Sequence, residues 1–491
     1  MIFLDTVTLA SVLAVAHTVL MVAVIPFVLI KKRDPTVAVA WSLVVILTPV
    51  LGSLLFWVFG FNYVQRRVRR KKTHRTAFDH QHPPRRREAT RGAAKPGGWK
   101  RERPQSSDPD PHHLVQIAQA VDAFPVSLGN RVTLYHDTKE AYEAILQSVA
   151  EARHHVHLEF YIFRADDTGR RLIELLIDKA QAGVEVRLLY DALGSLFFSW
   201  RLQGRVREAG GLIDTFLPVN PLRSWIQVNL RNHRKIVVID GRVGFTGGMN
   251  IGDEYLGKSS RFGHWRDTML QVEGPAVAGL QRVFIEDWHF ASGEDVNEEA
   301  YFPEVAPAGE DAVQVVEAGP DQELNSIREI FFAAIVAAKR RLWIASPYFV
   351  PDGGLLDALR LARMRGVDVR YLGLLRPDHL TSFYAGRYYC ADLLAFGARV
   401  YLYARGMMHA KYLVVDDDWA FVGSANFDNR SLHLNFEAGC LLYDPGLVAE
   451  LALQYERDLA DAIPLDPWAF GQRTIWTKLL ENAARLFSPV L

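Results

Sequence analysis

Two segments of the chain carry the same polar residues at the same spacing. The first reads Asn232-His233-Arg234-Lys235, an apolar run to Ile239, Asp240, and then Gly247-Gly248-Met249-Asn250. The second reads Met408-His409-Ala410-Lys411, an apolar run to Val415, Asp416, and then Gly423-Ser424-Ala425-Asn426. Counted from the histidine, Lys lies at +2, Asp at +7, Gly at +14 and Asn at +17 in both. A strand sends alternate side chains to one face, so each His and Lys should project into a common pocket. The apolar run predicts a buried strand, and the glycine turn predicts a return strand whose Asn reaches that pocket. Each copy then offers an imidazole, an ammonium and an amide. These groups suit the non-bridging oxygens of a phosphodiester, and an imidazole can act as nucleophile or as acid and base. One copy would be a weak signal. Two copies with all offsets shared, at His233 and at His409, 176 positions apart, are not an accident of composition. Two duplicated hairpins with solvent-facing polar residues would preserve the repeat but leave its chemistry unexplained.

The elements around these segments also repeat. Strands are predicted at Arg131–Tyr135, Val156–Phe163 and Val184–Tyr190, with helices at Lys139–Ala152 and Gly169–Ala182 between them. The order returns with strands at Ala312–Val316, Arg341–Phe349 and Val367–Leu372, and helices at Leu324–Ala338 and Gly354–Arg365. Val184-Glu185-Val186-Arg187 is echoed by Val367-Asp368-Val369-Arg370. Strand–helix alternation implies an α/β fold, a sheet with helices on its faces, and the repeat implies an internal duplication.

The 491 residues allow two or three domains, and the formal net charge is zero. That balance hides an asymmetry. Of the 56 basic residues, 15 lie between Val64 and Arg103, where there are three acidic ones. From Pro104 onward acids exceed bases by 13, which disfavours binding of nucleic acid by the main body. Cys390 and Cys440 are too few for a disulfide framework or a cysteine-based zinc site and read as reduced core residues.

Thr6 to Ile30 carries no charged residue and would span about 37 Å as a helix. Lys31, Lys32, Arg33 and Asp34 follow. A second uncharged run covers Pro35 to Phe61, with Trp41, Trp57 and Phe61 near its ends and a predicted kink at Pro49 and Gly52. Residues 1–62 therefore read as a transmembrane hairpin, which predicts a multi-pass plasma-membrane protein. The basic excess after the second run places the body in the cytoplasm. The three basic residues of the short loop resist that placement, unless the hairpin crosses only partly. Residues 63–113, rich in Arg, Pro, Gly and His, read as a disordered linker that attracts anionic lipid head groups or serves as a solvated tether.

The duplicated motif resembles the signature of the phospholipase D superfamily, and the resemblance covers nearly everything from about residue 110. It implies two phospholipase D-like α/β domains, 114–305 and 306–491, each a mixed sheet flanked by helices, related by pseudo-twofold symmetry around one active site. By that resemblance His233 is the nucleophile and His409 the general acid and base. Lys235, Lys411, Asn250 and Asn426 would hold the phosphate. Gly247, Gly248, Gly423 and Ser424 would let the backbone approach it. Asp240 and Asp416 belong to the catalytic motif but are expected to brace the hairpins. A later carboxylate should orient each histidine. Glu437 matches that spacing in the second half. Position 261 is Arg, a departure from the pattern, and Asp267 is the expected substitute.

Within the superfamily the chain is most similar to bacterial cardiolipin synthases. The strings Trp265-Arg266-Asp267-Thr268, Glu273-Gly274-Pro275 and Ser346-Pro347-Tyr348-Phe349-Val350-Pro351-Asp352 carry this likeness, together with the apolar hairpin through Phe59-Gly60. It implies transfer of a phosphatidyl group between two phosphatidylglycerol molecules through a phosphohistidine, with no cofactor and no metal. The alternatives are a hydrolytic phospholipase D, a membrane-tethered nuclease and a catalytically silent lipid-binding protein. Leu193–Leu202, Leu380–Tyr389 and the helical face Ile475, Trp476, Leu479, Leu480, Ala483, Leu486 and Phe487 are candidate apolar access surfaces, with core packing as the alternative. The oligomeric state is not readable.

Overall fold

The computed structural model describes residues 2–32, 35–57, 112–121, 123–218, 230–296, 299–322 and 324–491. The chain divides into two units, Met1–Arg70 with Val219–Asn229, and Lys71–Pro218 with Leu230–Leu491.

In the first unit the two uncharged runs form helices α1 (Ile2–Lys31), α2 (Pro35–Leu47) and α3 (Pro49–Leu55). The second run breaks where expected. Pro49 has no N–H to continue the ladder, and it starts a new helix at its first position. A side chain on Gly52 would lie 2.3 Å from the Val44 carbonyl, so glycine lets α3 fold back against α2. Val24, Val28, Val45 and Phe56 form a small cluster there. Over the described residues no helix is both long and apolar enough to cross a membrane. The expected two spanning helices are therefore not established by this unit. The expected linker, 63–113, lies almost entirely outside the described residues, as do Phe59, Gly60 and Phe61.

In the second unit the first half supplies β1 (Ser127–Asp137), β2 (His155–Phe160), β3 (Glu185–Asp191), β4 (Leu212–Phe216), β5 (Ile236–Ile239), β6 (Val243–Gly247) and β7 (His264–Glu273). The second half supplies β8 (Asp311–Ala318), β9 (Arg341–Ala345), β10 (Phe349–Val350), β11 (Asp368–Leu374), β12 (Arg399–Tyr403), β13 (Gly406–Met408), β14 (Tyr412–Val415), β15 (Trp419–Gly423), β16 (Phe427–Asp428), β17 (Glu437–Leu442) and β18 (Ala462–Pro464). The strand predicted over Arg341–Phe349 is two strands, because Pro347 cannot donate to a ladder.

All of these but β10 and β16, which pair with each other, lie in one 16-stranded mixed sheet. Its centre is the antiparallel pair β1–β8. Outward from that seam the order is β1-β7-β6-β5-β2-β3-β4 on one side and β8-β17-β15-β14-β9-β11-β12-β18 on the other. The first seven strands of each side correspond one to one, so the duplication is a symmetry of the sheet, and β18 is an added edge strand. β13 departs from it by pairing with β7 of the first half. The halves thus share one sheet and one body. Buried Asn130 closes the seam: its amide donates to the Ser127 and Asp311 carbonyls, and its oxygen accepts from the Ala276 N–H.

The motif aspartates close the β5–β6 and β14–β15 hairpins at positive φ, 52° for Asp240 and 50° for Asp416. The Asp240 carboxylate accepts the N–H groups of Arg153, His154 and His155 at 2.8–2.9 Å. The Asp416 carboxylate accepts those of Lys339, Arg340 and Arg341 at 2.7–3.0 Å. Each binds the turn of one hairpin to the start of the neighbouring strand, β2 or β9, and satisfies three donors that no ladder serves. Asp416→Ala should therefore lower stability by about 2–3 kcal/mol, read as the shift in denaturant midpoint in detergent. Turnover per folded molecule should change little. A large fall in turnover at unchanged stability would instead place Asp416 in the chemistry.

Candidate active site

His233 and Lys235 do not lie on β5, nor His409 and Lys411 on β14; each pair immediately precedes its strand. The reason is that both segments leave their own half to pair with the other. The His233 N–H donates to the Phe436 carbonyl at 2.9 Å, and the Phe436 N–H donates back to the Arg231 carbonyl. The His409 N–H donates to the Arg266 carbonyl at 2.7 Å, in continuation of the β13–β7 pairing. Side chains still alternate, so the expectation that each His and Lys act together holds. Lys235 Nζ donates to its own histidine's carbonyl at 2.5 Å, and Lys411 makes the equivalent bond.

The exchange extends to the side chains. His233 Nδ1 lies 3.0 Å from both carboxylate oxygens of Glu437, in the second half. His409 Nδ1 lies 2.7 Å from Asp267 Oδ2, in the first half. At His233 the carboxylate at Nδ1 favours the N–H there and leaves Nε2 for the reaction; His409 Nδ1 also lies 2.8 Å from Lys411 Nζ, so carboxylate and ammonium meet at that nitrogen. Tyr161 packs against the His233 ring and Trp265 against the His409 ring, each with centroids 5.0 Å apart.

Burial dominates the electrostatics. It pushes both imidazoles down to about 4. Lys411 adds to the effect at His409 and Asp267 opposes it; at His233, Glu437 opposes and Lys235 adds. Each imidazole also feels the lysine of the other half, Lys411 at His233 and Lys235 at His409, so the two motifs share one electrostatic site. Burial lowers Lys235 strongly and Lys411 to about 8. Burial works to raise Glu437, but His233, Lys235 and the Ser424 hydroxyl outweigh it and hold Glu437 at about 2. At Asp267 burial is likewise outweighed by Lys411 and His409, and its carboxyl stays below the usual range. At neutral pH the site holds ionised carboxylates against neutral imidazoles.

Asn250 and Asn426 each follow a return strand by three residues and are buried. Asn250 Oδ1 accepts the Ile162 N–H at 3.1 Å, while Asn426 Oδ1 has no hydrogen-bond partner among the described residues. Asp240 and Asp416 are occupied at the hairpin turns by the backbone donors described above. Gly248 and Ser424 serve the carboxylates. A side chain on Gly248 would come within 2.1 Å of Asp267 Oδ1, so its absence makes room for Asp267. The Ser424 hydroxyl donates to Glu437 at 2.5 Å.

Sequence reasoning missed what holds these carboxylates in place. Arg234, fully buried, bonds the Glu437 carbonyl at 3.2 Å and pairs with Glu317 and with Asp287, which fixes β17 beside His233. Arg266 donates to the Asp267 carbonyl and pairs with Asp458 at 2.8 Å. An arginine next to a motif His, or next to a candidate carboxylate, was the available signal; their partners are far away in sequence. Asn435 adds a bond to Glu437 at 3.2 Å. Among the described residues no cluster of His, Cys, Asp and Glu is arranged to hold a metal ion.

Comparison with known proteins agrees with this arrangement. Residues 145–288 and 331–459 match the family described as "Cardiolipin synthase, PLD-like domain", and residues 19–60 match "Phospholipase_D-nuclease N-terminal". The chain is 40% identical to "Cardiolipin synthase" of Geobacillus thermodenitrificans, over 96% of this chain and 92% of that protein. It is 36% identical to "Major cardiolipin synthase ClsA" of Bacillus subtilis, over 94% and 95%. Among solved structures, the phosphatidylserine synthase of Haemophilus influenzae covers 77% of this chain and 100% of its own, with a TM-score of 0.61 at 16% identity, which speaks to the fold alone.

Two outcomes follow from the geometry. Gly248→Ala should displace Asp267 from His409 and lower turnover by roughly tenfold or more with little change in thermal stability; an unaltered rate would show that the Asp267 contact is dispensable. Because burial leaves the imidazoles neutral at pH 7, a bound phosphodiester anion should draw a proton back onto the site. Calorimetry with a non-reactive phosphonate diester in buffers of different ionisation enthalpy should show uptake of about one proton, growing as pH falls from about 8 to 6. The uptake should shrink in His409→Gln.

Proposed function

Since the chain belongs to the cardiolipin synthase family with phospholipase D-like domains, we propose that it is a phosphatidyltransferase that makes cardiolipin and glycerol from two molecules of phosphatidylglycerol. The observation that carries the reading is the crossed pair of histidine–carboxylate contacts around two lysines. His233 Nε2 attacks the phosphorus of the first lipid. The bond from phosphorus to the glycerol head-group oxygen breaks, and His409, which takes up a proton at Nε2 when the lipid anion binds, gives that proton to the oxygen. The terminal hydroxyl of a second phosphatidylglycerol then loses its proton to His409 as it attacks the phosphohistidine. The P–N bond breaks, and both imidazoles return to their starting state.

The residues around them have defined parts in this scheme. Glu437 stabilises the positive charge that His233 gains on attack, and Asp267 does the same for protonated His409. Lys235, Lys411, Asn250 and Asn426 bind the non-bridging oxygens, whose charge favours the protonated lysines that burial alone disfavours. The assignment of nucleophile follows the family resemblance, since the local geometry is alike for both histidines. The apolar helices at the N-terminus anchor the enzyme in the plasma membrane with its body in the cytoplasm; the length of the uncharged runs and the basic residues after them support this.

The test is turnover of radiolabelled phosphatidylglycerol by the full chain in detergent. Labelled cardiolipin with free glycerol is expected; phosphatidic acid as the main product would establish a hydrolase instead. His233→Ala and His409→Ala should each lower turnover by at least about 10³-fold. An acid-labile phosphatidyl adduct should form on the wild type and be missing from His233→Ala. Full activity in either variant would overturn the mechanism.

A further inference from the structure

The chain's last helix is amphipathic with its polarity reversed. Ile475–Arg485 packs against the helix Leu380–Ala395. The side it turns to the protein carries Glu481, which is 1% exposed and pairs with Arg387 at 2.9 Å and Arg473 at 3.0 Å. Arg485 reaches the Tyr388 hydroxyl on the same side. These polar anchors fix the rotation of the helix and turn its apolar stripe outward. Ile475, Trp476, Leu479, Leu480, Leu486 and Phe487 are 47–76% exposed, and Trp468 beside them is 75% exposed. Core packing is therefore not their role.

This surface is continuous with the site. Ala484 packs on Val350, whose strand β10 pairs with β16, and Asp428 of β16 is two residues from Asn426. The Arg430 N–H donates to the carbonyl of the C-terminal Leu491. A second exposed apolar group stands on the other half. Leu196, Phe197 and Trp200, 60–76% exposed, lie in the segment after β3. That segment is held to Tyr161, the residue against His233, by the bond from Ser195 Oγ to the Tyr161 carbonyl. The helix Leu380–Ala395 follows β11, which is the counterpart of β3 in the sheet. The segment that carries Phe197 and Trp200 is therefore the counterpart of the helix on which the last helix lies, and each group borders the shared site, one through Tyr161 and the other through β10 and β16.

We propose that these two groups seat the catalytic body on a lipid bilayer, with Trp476, Leu479, Leu486 and Phe487 on one side and Phe197 and Trp200 on the other inserted among the acyl chains. The proposal rests on the reading of the substrate as a membrane lipid. It commits to a bilayer over a second copy of this chain because an occupant covering both groups also covers the site between them. A bilayer there supplies lipid and withholds water, whereas a protein would close the site. Tryptophan on both rims suits the boundary between head groups and chains.

The test places nitroxide labels in the full chain, reconstituted in vesicles of phosphatidylglycerol and phosphatidylethanolamine. Cys390 and Cys440 are buried, so labelling can be directed to Phe197→Cys, Trp476→Cys and Leu479→Cys. The reference is Met364→Cys, an equally exposed apolar position at the last residue of the helix Gly353–Met364, which precedes β11. Labels at 197, 476 and 479 should show a ratio of oxygen to water-soluble nickel accessibility at least about threefold above that at 364. Equal ratios at all four positions would overturn the proposal. So would labels shielded from both reagents with dipolar broadening, which would report a second copy. Cardiolipin formation by the wild-type chain in the same vesicles tests the substrate reading separately, since immersion of the labels does not depend on turnover.

Discussion

His233 takes its orienting carboxylate from the second half and His409 takes its own from the first. Backbone hydrogen bonds repeat the exchange, from His233 to Phe436 and from His409 to Arg266. Neither half can hold its own imidazole in a reactive orientation, so the site exists only where the two meet. This explains why the sheet is continuous. Were β1 and β8 free to separate, each histidine would lose its N–H acceptor and its carboxylate together. The paired strands and buried Asn130 at the seam keep both contacts in register.

The same crossing sets the electrostatic state of the site. A buried imidazole and a buried ammonium both resist charge, and the two histidines and two lysines are all shifted in that direction. The carboxylates stay ionised because each faces a histidine and a lysine and accepts hydrogen bonds, Glu437 from His233 and Ser424, Asp267 from His409 and the Thr268 N–H. Negative charge is thus fixed in advance on the Nδ1 side of each ring. Positive charge can then appear on the ring when the phosphodiester arrives, with little rearrangement. Arg234 and Arg266 supply the rigidity, since each bonds the backbone beside a carboxylate and is itself held by a buried acid.

The duplication is close in topology and looser in chemistry. Where the second half uses the longer Glu437, steadied by Ser424 and Asn435, the first half uses Asp267 seated against bare Gly248. Serine and glycine occupy the same motif position, and each suits the carboxylate it meets. What each position must preserve is an oxygen at imidazole Nδ1.

Much of this was legible in residue order. The strand–helix alternation, the duplication, the His-Lys pairs and the hairpin aspartates depend on local periodicity and spacing, which a chain reveals without folding; the two later carboxylates came from the family resemblance. Even the bracing role of Asp240 and Asp416 follows from their place at a turn. Other features depended on long-range pairing, which leaves no local trace. Spacing could not say that Glu437 serves the histidine of the other half, that Arg234 is tied to acids 53 and 83 positions away, or that Ser424 and Gly248 attend to carboxylates. Nor could it choose between core and surface for the last helix. Its apolar stripe reads the same either way, and only the burial of Glu481 between Arg387 and Arg473 turns that stripe outward. Sequence determined which groups are available, because spacing along a strand or helix is a local property. Tertiary structure decided which of them meet, because that depends on how two distant halves close on one another.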